Sequence, residues 1–513
     1  MKKFGFILAV LTVMFLITSC GGGGGGNDNI NKPMGTKKFW AQNMTTTTFY
    51  QLDAEKLAEN TRCEVWAEKG SGVTAATAAG VASAYNTVYT KMMNTFGYTI
   101  NDSDLGKVNT MEIAHYIATG TTKGAKLTIL LLDIKDGYKK VGDPYVAGYF
   151  HSLNMFENNP KDTQFKYSNA LDMIYLDTNP SVPGSPDSNG TLAHEMQHLM
   201  NFVTSIVMMS DNKRTTVMET WIDEGLSGAA EWVYSGVHPE ERWRYYNENT
   251  TGLIAKGNNF YVWDNHKENI YANLDDYATV YLFFQYLRLQ SGKPENIYRD
   301  ILMSEYNDYQ AVTKASSLNG SHKDKWSLLL RDWHAANYTN ASSGLYGYKD
   351  EPDLKTVKAP MFSGGTTVNL YPGEGVYSKI DSTDAVPSPS GNINYAGLNS
   401  TGTPVGSGST ASGARLTYNV NTNKEGSAET GNTIAPSVGI SIPGSGSVQI
   451  DQKKFIGPFK VDASYFLRKN GSSGIPDNEI KSLLNKNNSR SVNKDNNTLR
   501  FDTSTLERVF IDE

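Results

Sequence analysis

The sequence predicts an α+β fold: a strand-rich first half, a helical second half, and then a β-rich C-terminal domain. Three observations predict it. Short apolar runs of strand length dominate up to about residue 180. From Leu192 onward the apolar spacing changes from about 2 residues to about 3.6. After about residue 345 the chain turns to Gly, Ser, Thr and Asn, with short β-prone islands such as Leu416-Thr417-Tyr418-Asn419-Val420.

Taken in order, residues 1–19 read as a signal segment. Lys2 and Lys3 precede an apolar run from Phe4 to Ile17, too short for a membrane-crossing helix of ~20 residues. The run ends in Ile17-Thr18-Ser19-Cys20, which resembles a bacterial lipobox, so Cys20 is the expected lipid attachment point. Gly21 to Gly26 open a flexible tether over 20–36. The expected location is the cell envelope, at the outer membrane or cell surface, because Gly21 rather than an aspartate follows Cys20.

Residues 37–180 form the strand-rich part. Strands are expected within 37–70, where Cys63 reads as a small buried apolar residue. Thr74 to Phe96 carries Val81, Tyr85, Val88 and Met92 at helical spacing. Lys126–Leu132, Tyr145–Ser152 and Leu171–Asp177 read as further strands. Residues 181–345 form the helical part, with helices expected at 192–209, 216–234, 274–290 and 323–337. Asp275 or Asp276 reads as the N-cap of the third, and Gly292 and Pro294 as its stop. Residues 346–513 read as a β-domain or spacer, ending in an Asn- and Lys-rich tail from Asp477.

Composition narrows the function. Charged residues are 19% and the net charge is -6, which argues against a nucleic-acid partner. A mean hydropathy of -0.44 excludes a multi-pass membrane protein. Two cysteines, one of them Cys20, exclude a disulfide framework.

The informative residues are His194-Glu195-Met196-Gln197-His198. Histidines at i and i+4 share one helix face and can bind one Zn2+ between them. Glu195, beside a ligand, can hold a water at the metal and take its proton. With 8 histidines in the chain, roughly 0.006 chance matches to this pattern are expected. Leu192, Met196, Leu199, Met200 and Val203 form an apolar stripe, which places the motif on an amphipathic helix. That helix is expected to start after the turn Pro186 to Thr191.

A catalytic zinc needs a third protein ligand. Glu224, in Trp221-Ile222-Asp223-Glu224-Gly225, lies far enough downstream for a second helix to present it. This pairing of segments resembles the gluzincin metallopeptidases, and within them the hyicolysin family of neutral metalloproteases. The resemblance covers roughly residues 45–340 and is strongest at the two motif segments. It implies a thermolysin-like catalytic unit, one catalytic zinc held by His194, His198 and Glu224, and Glu195 as general base. It draws attention to Glu231, seven places after Glu224, which could orient a ligand histidine or be a solvated charge beside Trp232. Asp223 reads better as an exposed acid. For the group that stabilises the developing oxyanion, His266, Tyr271, Tyr277 and Tyr281 all stand at suitable distances. His151 reads as a satisfied strand histidine. Calcium (Ca2+) fits the analogy with other gluzincins, yet no Asp-rich loop has a recognised calcium spacing.

The expected activity is therefore zinc-dependent endopeptidase action on peptide or protein substrates, with the strand near Ile174 as an edge for an extended substrate. One alternative is a zinc aminopeptidase, although residues 180–193 hold no exopeptidase segment to grip a free N-terminus. Another is a surface adhesin or binding lipoprotein with a vestigial peptidase site.

Overall fold

A computed structural model describes residues 33–433 except 164, 250–251, 258–259, 264–269, 381–383, 400–401 and 425, together with 460–461. The lipobox, the glycine tether and the tail from Asp477 lie outside the described residues. No described helix is long and apolar enough to cross a membrane.

Strands β1 (Gly35–Gln42) and β2 (Phe49–Glu59) pair antiparallel, and β2 pairs antiparallel with β3 (Cys63–Glu68). Cys63 is a fully buried free thiol at the start of β3, and burial pushes it up to about 12. Helix α1 (Ala75–Thr95) begins where the Thr74 hydroxyl accepts from the N–H of Thr77, and it buries Val81, Tyr85, Val88 and Met92. A short hairpin, β4 (Thr99–Asp102) with β5 (Gly106–Asn109), leads into α2 (Thr110–Thr119). Helix α2 was not among the expected helices, although Asn109 and Glu112 form a reciprocal capping box at its start.

Next come β6 (Leu127–Leu132), β7 (Tyr145–Val146), β8 (Gly148–Phe150) and β9 (Met173–Asp177). The six-stranded sheet has the order β1-β2-β3-β6-β9-β8, with β3, β6 and β9 parallel and β8 antiparallel at one edge. Every residue of β6 and β9 is buried, as expected for strands covered on both faces. This order corrects one expectation. The strand holding Ile174 is β9, an interior strand, and the edge is the three-residue β8. The edge role of the Ile174 strand is implied by the gluzincin resemblance, and in this chain β8 pairs antiparallel outside β9 and takes the edge instead.

The helical layer begins with α3 (Pro186–Ser210). It starts six residues earlier than the apolar stripe suggested. Pro186 occupies the first turn, where its missing N–H costs nothing, and the Ser185 hydroxyl caps the Ser188 N–H at 3.1 Å. The supposed turn from Pro186 to Thr191 is thus the first two turns of the helix, with Ser188 and Asn189 already buried. Helices α4 (Thr220–Ser235), α5 (Glu240–Glu248) and α6 (Ile270–Gln290) follow. In α6, Asp275 and Asp276 are interior and fully buried rather than capping. Burial of the helix overrides the local preference of Asp for a cap. Helices α7 (Ile297–Leu302), α8 (Tyr309–Leu318) and α9 (Trp326–Thr339) complete the layer.

Beyond it lie β10 (Met361–Phe362), β11 (Thr367–Leu370), β12 (Gly375–Lys379), β13 (Ile393–Leu398), β14 (Ala414–Asn419) and β15 (Glu429–Asn432). They form one sheet of order β10-β12-β14-β13 and a β11–β15 pair. This β-unit sits directly on the helices. Tyr377, Leu398, Leu416 and Tyr418 join the apolar core that runs through the helices and the large sheet. The Tyr377 hydroxyl donates to the carbonyl of His334 on α9 at 2.9 Å. A last short strand, β16 (Lys460–Val461), pairs parallel with β7.

Candidate metal centre

Helices α3 and α4 pack face to face, and the site lies between them. One turn of α3 stacks His194 above His198, with ring centroids 4.8 Å apart at 73°. Helix α4 brings Glu224 opposite. Its Oε2 lies 3.5 Å from His194 Nε2 and 3.6 Å from His198 Nε2. These three donors lie within 4.8 Å of one another and all three residues are buried. Among the described residues this is the one such group of three. The close approach of α4 to α6 depends on Gly225, where a Cβ would fall 2.2 Å from a Phe284 ring carbon.

The spacing fits a metal. Donors at ~2.0–2.1 Å from a tetrahedral zinc lie about 3.3–3.4 Å from one another. Separations of 3.5 and 3.6 Å are long for hydrogen bonds and close to that tetrahedral edge. His198 Nε2 is buried without a hydrogen-bond partner among the described residues. Two imidazoles and one carboxylate are also the donor set zinc accepts.

The opposite ring nitrogens are held. His194 Nδ1 lies 2.9 Å from Glu231 Oε1, and Arg242 Nη2 donates to the same oxygen at 3.2 Å. His198 Nδ1 lies 3.0 Å from Asp223 Oδ1 and 3.1 Å from Ser227 Oγ. Ser227 in turn donates to Gln197 at 2.7 Å, and Asn201 donates to Asp223 at 2.5 Å. Each ring thus turns Nε2 toward Glu224 and donates Nδ1–H to a carboxylate, the arrangement that fixes tautomer and orientation in metal sites. Asp223 is therefore not a plain exposed acid. Glu231 contacts a histidine of the cluster rather than standing solvated beside Trp232. Burial pulls the His198 ring down, but the carboxylates of Asp223 and Glu224 more than offset it and raise the ring to about 10. The cluster favours positive charge at this spot.

Glu195 is buried, and its Oε2 accepts the Phe150 N–H of edge strand β8 at 2.9 Å. Gly148 makes that contact reachable, since a Cβ there would lie 2.9 Å from both the Thr191 methyl on α3 and the Tyr175 carbonyl. The sequence offered no sign of this link, because it depends on which strand borders α3.

Of the groups considered for the oxyanion, the side chains of His266 and Tyr271 lie outside the described residues. The Tyr281 hydroxyl is engaged 2.6 Å from His238 Nδ1. The Tyr277 ring lies 5.0 Å from the guanidinium of Arg242, the residue that holds Glu231. His151 caps a short turn by accepting the Leu153 N–H, and burial holds its ring down at about 4.

No family profile matches the chain. The chain is similar to the neutral metalloprotease ShpI of Staphylococcus hyicus, at 30% identity over 239 residues. That match covers 45% of this chain and 50% of the relative, so the chain spans about half the length of the protein it resembles. A distant relationship to a metalloprotease and a buried His-His-Glu cluster therefore stand together in one molecule.

Proposed function

We propose that this chain is a zinc-dependent metalloendopeptidase, exported and lipid-anchored at Cys20 on the outer membrane or cell surface. One observation carries the catalytic reading. Three buried donors on α3 and α4 converge at zinc-ligand spacing directly beside Glu195. When bound there, zinc supplies a Lewis acid for a water and for the carbonyl of a peptide bond. Glu195, one residue from a ligand and oriented by the Phe150 N–H, takes the proton of the attacking water and delivers it to the leaving amine. Glu231 and Asp223 keep both imidazoles aimed.

An extended substrate would pair with β8, the sheet edge that borders Glu195, rather than with the strand of Ile174. The ring of Phe150 packs beside that of Phe202 of α3, with centroids 5.8 Å apart, and both are partly buried against the core.

The test is casein hydrolysis by the purified full chain, with and without chelator, alongside Glu195→Gln. Chelation abolishes activity, and zinc restores it. Glu195→Gln keeps its zinc and loses roughly 10²–10⁴-fold in rate. A Glu195→Gln protein as active as wild type would sink the reading. Equal cleavage of peptides with blocked and free N-termini separates it from an aminopeptidase. Loss of membrane fractionation in Cys20→Ala tests the anchor.

A further inference from the structure

The C-terminal part of the chain comes back to the strand-rich first half. The chain runs through the β-unit to Thr433, and its next described residues, Lys460 and Val461, form β16 on β7 rather than on a strand of the β-unit. The register is parallel, with Lys460 opposite Tyr145 and Val461 opposite Val146.

The place of this short strand gives it meaning. Only Ala147 separates β7 from β8, the last strand of the large sheet. The two form one continuous run of backbone, and its far end carries the Phe150 N–H that donates to Glu195 at 2.9 Å. Strand β16 also approaches α6, and α6 packs on α4, the helix of Glu224. It therefore bridges the strand-rich half and the helical layer, beside the stretch of edge that borders Glu195.

A free sheet edge offers N–H and C=O groups to any extended segment. A peptide substrate takes such an edge by adding a strand, and β16 has already added one. The Val146 N–H is taken as well, by Asp136 Oδ2 at 2.7 Å, so β7 has little left to offer a second segment. Tethering makes even a short contact effective. A segment joined to the same chain is present at an effective concentration on the order of millimolar, so a contact as weak as ~0.1 mM holds its site about ten to one.

We propose that β16 is a built-in inhibitor: the C-terminal segment competes in cis with an extended peptide substrate for the β7–β8 edge. This rests on the peptidase reading given above and adds a regulation to it. A strand that only braced the fold would change stability and leave substrate affinity alone.

The test is steady-state hydrolysis of an internally quenched peptide, blocked at both ends, by the zinc-loaded full chain. Wild type is compared with the double variant Lys460→Pro with Val461→Pro. Proline has no N–H and cannot extend a strand ladder. In the variant KM falls about tenfold and kcat stays unchanged, as expected when a competitor is removed. An active double variant with unchanged KM, or with a change confined to kcat, overturns the inference and leaves the peptidase reading standing. If neither form cleaves peptide with its zinc in place, the peptidase reading falls and this inference falls with it. If the double variant melts more than a few degrees below wild type, Lys460→Gly with Val461→Gly decides. There glycine weakens the strand without breaking it, and KM falls about threefold. An unchanged KM in that variant overturns the inference.

Discussion

Two histidine–carboxylate constellations share one core and use their rings in opposite ways. At His115 and Asp172, one ring and one carboxyl meet at 2.9 Å and satisfy each other. At His194 and His198, each Nδ1 is satisfied by Glu231 or Asp223, while the Nε2 atoms stand 3.5 and 3.6 Å from Glu224. Those last distances are too long for good hydrogen bonds and right for three atoms sharing a fourth. Closeness of histidine to carboxylate is therefore not the mark of a metal site. The mark is a set of donors held slightly apart by partners behind them.

The sharpest way to break this contrast is to remove the shared carboxylate. Glu224→Ala should lose stoichiometric zinc on dialysis, read by elemental analysis, and lose chelator-sensitive hydrolysis with it. His115→Gln should retain full zinc. If Glu224→Ala kept one zinc per chain at wild-type affinity, the convergence on α3 and α4 would have no metal-binding meaning.

A smaller effect is expected behind the rings. Glu231→Gln and Asp223→Asn keep size and hydrogen-bonding capacity but remove the charge that orients Nδ1–H. Each should weaken zinc by roughly 10–100-fold, measured by competition with a metal indicator. Glu231 should matter more, since it is nearly buried and anchored by Arg242, while the Asp223 side chain is 31% exposed. Unchanged affinity in both variants would leave the oriented rings without a role.

The sequence made some of this legible and not the rest, for physical reasons. His194, Glu195 and His198 are readable because helical spacing alone puts i and i+4 on one face. Glu224 needed a resemblance to single it out, and its placement needs the packing of α4 on α3. Glu231 was half-visible, since seven residues is two helical turns from Glu224. Ser227, three residues from Glu224, could have been found by the same spacing. Asp223 and Asn201 meet only because two helices cross there. The hold of Phe150 on Glu195 was invisible, because it depends on β8 being last in the sheet and on Gly148 lacking a Cβ. At the level of the fold, long periodic helices and the buried strands were legible. The start of α3 was not, because the apolar stripe begins only at Leu192 while the cap is Ser185; the interior position of Asp275 and Asp276 was not, because burial overrode local capping preference there.

The smallest expected effect tests the other half of the contrast, the self-satisfied pair. Burial holds the Asp172 carboxyl above the usual range, and the hydrogen bond and charge of His115 pull it back. A folded-state pKa above the unfolded one means that the folded state binds the proton more tightly. The stability this group contributes is then fully present below the unfolded value of about 3.9 and is lost as pH rises through the folded value. His115→Gln removes an interaction that favours the ionised form, so Asp172 moves further up. Relative to wild type, the variant should therefore be nearly as stable at a pH low enough to protonate Asp172 in both proteins. Toward pH 7 it should fall behind by about 1–3 kcal/mol, the cost of a buried polar group deprived of its partner. Urea denaturation at the two pH values reads this directly. A deficit of the same size at both would mean that His115 serves by filling space, and the contrast between a self-satisfied pair and a metal-ready cluster would then rest on the donor distances at α3 and α4 alone.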